Sequence, residues 1–320
     1  MAQATQTASG AVRTAAGPGR RRSAWQTLKR DRQLWIMILP AIVVILLFNY
    51  VPMYGIQLAF RDYDFTKGLT GGEWRGLYYF RQFIDSYMFA DIMRNTVTIS
   101  LATILLGFPA PIILALILNQ VRWKRGKKML QTVVYMPHFI SIVVLVGLLN
   151  VLLSPNTGIV GYLLRSMGYE INLLASTSAF VPVYVLSDIW QHCGWNSIIY
   201  LAALSTVDPQ LYDSAKIDGA GKWQTMRHID LPAIAPTIMI LFILSMGGVL
   251  TTGFEKIFLM QNTLNLPVSE VISTYVYKIG ILSNQFSYSA AIGLFNTVIN
   301  FFFLFVTNQI ARRVSNISLW

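Results

Sequence analysis

The stretch LYDSAKIDGAGKWQTMRHIDLPAIAP, residues 211–236, decides the fold of this chain. It is charged and glycine-bearing, yet apolar runs long enough to cross a membrane flank it on both sides. Tyr212 to Ile217 are helix formers, and Asp218-Gly219-Ala220-Gly221 is a break in which two glycines let the chain turn sharply. A second helical turn follows. It is expected to stop at Leu231-Pro232, because proline has no N–H, and Pro232 can then open the next helix. A short helix, a turn and a short helix between two spans make a rigid protrusion on a membrane surface.

Gly219-Ala220-Gly221-Lys222 contains GxGK, but the phosphate-binding loop is excluded. That loop needs a glycine where Lys216 stands and Ser or Thr where Trp223 stands. The plain alternative is an ordinary amphipathic loop.

Of the 320 residues, 54% are hydrophobic and 12% charged, against about 25% charged in soluble domains. Mean hydropathy is +0.52. The chain reads as an all-α integral membrane protein. Its net charge of +11 does not point to nucleic acid, because the basic residues sit in short clusters beside apolar spans. One cysteine, Cys193, excludes an intrachain disulfide, and the histidines His138, His192 and His228 show no metal-ligand spacing.

Residues 1–22 are rich in Ala, Thr, Gly and Arg without apolar periodicity, and read as a disordered tail rather than a secretory signal. Arg20-Arg21-Arg22 resembles a twin-arginine start, but an uncleaved cytoplasmic tail fits the long run that follows. Ser23 to Trp35 has the pattern of an interfacial helix. Residues 23–320 form the membrane domain, with six spans at about 35–59, 92–118, 131–153, 178–204, 233–253 and 288–310. Gly107, Pro109 and Pro111 mark a kink or a close contact. With six spans, the tail, the cluster Arg122, Lys124, Arg125, Lys127, Lys128 and the pair Arg312-Arg313 lie on one side. The nearly charge-balanced loops at about 60–90, 154–177 and 255–287 lie on the other. The positive-inside rule makes the first side cytoplasmic, with both termini and the loop at about 205–232.

The 211–236 stretch resembles the EAA loop of ABC-importer permeases, in which EAAxxDGA precedes IxLP and a later proline. The matching residues are Asp213-Ser214-Ala215, Asp218-Gly219-Ala220, Ile229, Leu231-Pro232 and Pro236. Asp213 stands where the family has Glu, and Ser214 where it usually has Ala. Asp is one methylene shorter, so a salt bridge to an ATPase arginine would be re-aimed. The resemblance implies that this loop is a coupling helix seated in a cleft of an ATPase subunit.

Four further stretches resemble the carbohydrate-uptake branch, and within it the LplB-type group that includes alginate importer permeases. They are Asn49-Tyr50-Val51-Pro52-Met53-Tyr54-Gly55 with Ala59-Phe60, Gly107-Phe108-Pro109-Ala110-Pro111, Pro137-His138-Phe139-Ile140-Ser141, and Ser273-Thr274-Tyr275-Val276-Tyr277 with Gly280. This implies the type I importer permease fold in a bacterial cytoplasmic membrane. It also implies a second similar permease, two ATPase copies, and an extracytoplasmic binding protein delivering an oligosaccharide. The chain itself would be no enzyme and hold no cofactor, ATP and Mg²⁺ being bound by the ATPase.

The alternative is a secondary transporter or channel without an ATPase partner. A secondary transporter would show paired ionisable groups at the midplane and an inverted repeat, but the spans carry few ionisable groups and no repeat is visible; a channel would need a filter or charged ring, and none is visible. For the cargo path, Asp188, Gln191, His192 and Trp195 fall at i, i+3, i+4 and i+7, one face of the fourth span. Carboxylate, amide and aromatic groups together suit a sugar. By resemblance to the maltose importer, the matching positions there include sugar contacts. The alternative is that Asp188 and His192 bond each other or a neighbouring helix. At the outer end of the fifth span, Glu255 and Lys256 are expected near the path, with Thr252, Gly253 and Lys256 on one helical face. The alternative there is a lysine snorkelling to the interface.

Overall fold

The computed structural model describes residues 32–69, 71–121, 123–169 and 171–315. The expected tail, residues 23–31 of the expected interfacial helix and Arg122 lie outside the described residues.

Helix α1 runs Arg32–Phe60. As far as Gly55 it belongs to a unit of its own, separate from Ile56 onward, and its apolar side chains are exposed. In the second unit a short excursion over 61–77 carries two isolated bridge pairs, Arg61 with Trp74 and Asp64 with Gly68. All other regular structure among the described residues is helical. The excursion is held by the Asp62 carboxylate, which accepts hydrogen bonds from the Tyr79 phenol and from Arg75. Those two bonds, the phenol's first, hold its carboxyl below the ordinary range.

The helices that follow are α2 (Tyr78–Ile84), α3 (Phe89–Asn119), α4 (Lys124–Phe139), α5 (Ile142–Leu153) and α6 (Ile159–Ser166). Then come α7 (Thr177–Leu204), α8 (Pro209–Ile217), α9 (Lys222–Met246) and α10 (Phe254–Met260). The chain closes with α11 (Leu266–Ser269), α12 (Ile272–Tyr277) and α13 (Phe286–Ser315). Four of these, α1, α3, α9 and α13, are long and apolar enough to cross a membrane, and the bent pair α4–α5 makes a fifth candidate. Helix α7 has 28 residues, a length of about 42 Å. It falls short of the apolar character of the four because Asp188, Gln191, His192 and Asn196 interrupt its middle.

Three spans contain a π turn with a proline two residues beyond it. The turns are Leu46–Tyr50 before Pro52, Thr103–Gly107 before Pro109 and Met226–Asp230 before Pro232. A widened turn moves the carbonyl that the proline ring would strike and leaves a place for the missing donor. The expected stop at Leu231-Pro232 is therefore corrected: α9 runs from Lys222 through Pro232 without a break.

The third expected span, 131–153, is also corrected. Helix begins at Lys124, and α4 and α5 meet at 98°. Pro137 opens a 3-10 turn over Met136–Phe139, and the Ser141 hydroxyl caps α5 by accepting from the Val144 N–H. The break frees the Ile140 carbonyl, which the Gln191 amide satisfies at 2.9 Å, as irregular backbone in an apolar medium requires. The fifth span ends earlier than expected, its helix stopping at Met246. The loop expected over 255–287 is not a plain loop. It holds α10 to α12, pinned to α3 by two polar residues inside that span. Asn95 donates to the Pro267 and Glu270 carbonyls, and Thr96 Oγ1 accepts from the Ile272 N–H at 3.0 Å.

The core has three centres. Ile99, Val146, Phe180, Val185, Ile257 and Val271 pack where α3, α5, α7 and α10 meet. Phe83, Ile92, Tyr275 and Ile292 join α2, α3, α12 and α13. Ile112, Tyr200, Leu204 and Ile234 join α3, α7 and α9. Helices α7 and α4 come closer than any side chain allows: a Cβ at Gly194 would lie 1.9 Å from the Val134 carbonyl oxygen. Gly194→Leu is therefore expected to push the two helices apart and cost at least about 1–3 kcal/mol. Folded yield after detergent extraction measures this; wild-type yield and melting temperature would contradict the contact.

Candidate functional site

The protruding stretch folds as a helix, a left-handed turn and a second helix. Asp208 caps α8 by accepting from the Gln210 N–H, and Pro209 takes the first helical position, where no donor is needed. The end of α8 is a glycine-terminated cap. The Ala220 N–H reaches the Ala215 carbonyl at 2.8 Å and the Gly219 N–H reaches that of Lys216, with Gly219 at φ +72°. Gly221 then starts α9, its N–H held by the Gln224 side chain. Asp213, Ser214, Asp218 and Gly219 are exposed, while Ala215, Ala220 and Ile229 are partly covered. Leu231 and Pro232 lie on the continuing helix. Asp213 pairs with Lys216 at 2.7 Å, but both side chains are about two-thirds exposed. Such a pair is worth at most about 1 kcal/mol, so the carboxylate is free to change partner.

One residue beneath this loop was not singled out from the sequence. Asp230 is fully buried, and its carboxylate accepts from the Tyr212 hydroxyl at 2.6 Å, Gln120 at 2.8 Å and Asn119 at 3.3 Å. It joins α8, the Asn119 end of α3 and the start of α9. Burial first, and the Asp230 carboxylate second, push the Tyr212 phenol up to about 12, so it remains a donor. The available signal was an acid beside the Leu-Pro of a span, which is costly unless partnered.

The second cluster lies on α7. Asp188 Oδ1 sits 3.4 Å from both His192 Nδ1 and Lys256 Nζ. Lys256 is 3% exposed. Its ammonium also donates to the Tyr184 carbonyl and lies 4.7 Å over the Tyr184 ring. Gly253 N–H bonds the Tyr184 hydroxyl. Thr252 and Gly253 precede α10 in coil and share no helical face with Lys256, correcting that expectation. Lys256 is also not at an interface but inside the bundle. Glu255 is exposed.

Gln191 faces the α4–α5 break rather than open space. Trp195 is 41% exposed and stacks on His138, rings 4.5 Å apart and 4° from parallel. His138 in turn meets the edge of His192. Asp188, His192 and Trp195 are partly open, so the expected stripe splits into an open part and a buried brace. Three buried polar atoms, Gln191 Oε1, His138 Nδ1 and Thr252 Oγ1, have no hydrogen-bond partner within the described residues.

Residues 107–316 match the family model described as binding-protein-dependent transport system inner membrane component. LplB of Bacillus subtilis is 42% identical over 287 residues, 89% of this chain and 90% of LplB. YteP of the same organism, a polygalacturonan/rhamnogalacturonan transport system permease, is 43% identical over 287 residues, 89% of either chain. A chain in the crystal structure of a bacterial alginate ABC transporter, in complex with its alginate pentasaccharide-bound periplasmic protein, superposes with a TM-score of 0.84. It is 39% identical, covering 92% of this chain and 99% of that one.

Proposed function

The chain belongs to the binding-protein-dependent transport system inner membrane components, permease subunits of ABC importers, and from that premise we propose that it carries an oligosaccharide across a bacterial cytoplasmic membrane. The observation that carries the proposal is the exposed α8–Gly219 turn braced on buried Asp230 between two spans. ATP bound elsewhere can bias the inward- or outward-open state only through a contact whose energy differs between them. A short helix tied into two spans passes on a rigid-body displacement. In this reading Asp213, Ser214, Ala215, Asp218, Gly219 and Ala220 meet an ATPase subunit, which alone binds ATP and Mg²⁺; no cofactor is assigned to this chain. Helices α1, α3, α4–α5, α7, α9 and α13 are the six spans, both termini being cytoplasmic. The partners are a second permease, two ATPase copies and an extracytoplasmic binding protein.

The sugar assignment is supported by YteP and the alginate transporter together with the α7 surface. Trp195 and His138 offer ring faces, and Asp188 and His192 offer partly open polar groups, as hydroxyl-bearing rings require. Lys256 enters this reading as the counter-charge of Asp188 rather than a direct contact.

Gly219→Val is the test. A Cβ at this position meets nothing within 4 Å, so the penalty is backbone strain alone, about 1–2 kcal/mol and more for a β-branched residue. Assembled complexes in vesicles should keep basal ATP hydrolysis and lose most of the stimulation given by loaded binding protein. Full stimulation in the variant would remove the loop from the coupling path.

A further inference from the structure

Two connected grooves open beside the α3–α9 contact. One, about 390 Å³, is lined by Ile113, Leu116, Ile117, Trp223, Met226 and Leu231 with Arg227 at its edge. The other, about 520 Å³, adds Gln120, Trp123 and Lys222 and shares Ile117 and Met226 with the first. The walls of the first are apolar and its rim is basic. Neither Lys222 nor Arg227 has an acidic partner among the described residues. Helix α4 starts beside Trp123 with Lys124, Arg125, Lys127 and Lys128 and no acid. Asp230, the acid nearest Arg227 in sequence, is buried and already accepts three hydrogen bonds, and exposed Asp218, the acid nearest Lys222, forms no ion pair with it.

The aromatic residues mark the level of this site. Trp123 and Trp223 are 68% and 71% exposed, the amphipathic side chains that settle at a headgroup boundary. Trp123 is held in place: its ring lies on Gly126, where a Cβ would come within 2.2 Å of it. An apolar trough running into a cationic, indole-flanked mouth is complementary to one molecule class, a lipid with an anionic head. A sugar would leave the trough's apolar walls unmatched, and a neutral lipid would leave two cations unpaired.

We infer that this groove binds an anionic phospholipid of the adjoining leaflet, acyl chain against Ile113, Ile117 and Met226, phosphate between Lys222 and Arg227 with the Trp123 indole beside it. Lipid here would contact the first turn of α9, which follows the Gly219 turn directly. The inference needs only that this end of the helices lies at a membrane surface, and does not depend on the cargo.

The test uses the full-length chain purified from bacterial membranes in neutral detergent. Phosphatidylglycerol and phosphatidylcholine are titrated separately, and bound copies are counted by native mass spectrometry. Phosphatidylglycerol should bind the wild type in preference to phosphatidylcholine. Lys222→Gln with Arg227→Gln should weaken it about 30-fold, each basic side chain contributing roughly five-fold toward an anionic surface. Arg312→Gln with Arg313→Gln, which removes the same charge elsewhere, should leave it unchanged. Equal binding of the two lipids, or equal loss in both double variants, would overturn the site. So would a photo-crosslinker at position 123 that captures an ATPase subunit or second permease in native membranes instead of lipid. No outcome depends on ATP hydrolysis, so failure here leaves the importer reading standing.

Discussion

Asp188→Ala should be among the most damaging single changes in the bundle. It removes the carboxylate that, among the described residues, pairs with Lys256, an ammonium 3% exposed. A buried charge stripped of its partner costs about 3–5 kcal/mol. The Tyr184 carbonyl and ring remain and keep the loss toward the lower figure. The measurement is melting temperature and folded yield in detergent. A second variant separates stability from function: Asp188→Ala with Lys256→Met removes both charges and should recover most of the loss. If Asp188 also meets cargo, this recovered protein will assemble normally and still show a raised uptake KM. A single variant as stable as wild type would sink the brace, and a rescued variant with unchanged KM would sink the cargo contact.

Asp230→Ala should separate the loop from the spans. Three donors, Tyr212 Oη, Gln120 Nε2 and Asn119 Nδ2, lose their common acceptor. Each unpaired donor costs about 1–3 kcal/mol when buried. Water can reach these half-buried side chains, so about 2–4 kcal/mol in total is expected. The functional signature is more telling than the stability: assembled complexes should hydrolyse ATP at the basal rate without response to loaded binding protein. Tyr212→Phe, losing one bond, should show a weaker form of the same defect. Normal stimulation in both would assign Asp230 to stability alone.

Much of this was legible from one sequence, and the reason is the solvent. In lipid the backbone must satisfy itself, so long apolar runs become helices almost regardless of detail. That located α1, α3, α7 and α13 within a few residues at most ends, whereas α9 begins well before its expected span and stops short of the expected end. Gly219 was legible too, because a left-handed turn between helix formers has few alternatives. What stayed hidden were partnerships across the chain. Nothing near Lys256 announces an acid 68 positions earlier. Asn95 and Thr96, polar residues inside α3, drew no reading from the sequence, though they anchor α11 and the start of α12. The bend at Ile140-Ser141 was masked by apolar residues on both sides, although Pro137 and a capping serine stood there. Asp230 occupies the position between Ile229 and Leu231 that the loop pattern leaves open, so the pattern had no reason to mark it.

The approach of Gly194 to the Val134 carbonyl has a mechanical meaning. Most helix contacts are made by side chains, which absorb a small displacement by changing rotamer. Here main chain rests on main chain, and there is no torsional slack to take up. Interiors are stiff where packing is close, and this joint is stiffer than side-chain packing alone. A displacement of α7 at its Leu204 end, five residues before α8 begins, would therefore be passed to α4 at this joint with little loss. Just beyond the joint lies the 98° elbow between α4 and α5, where such a displacement would change direction.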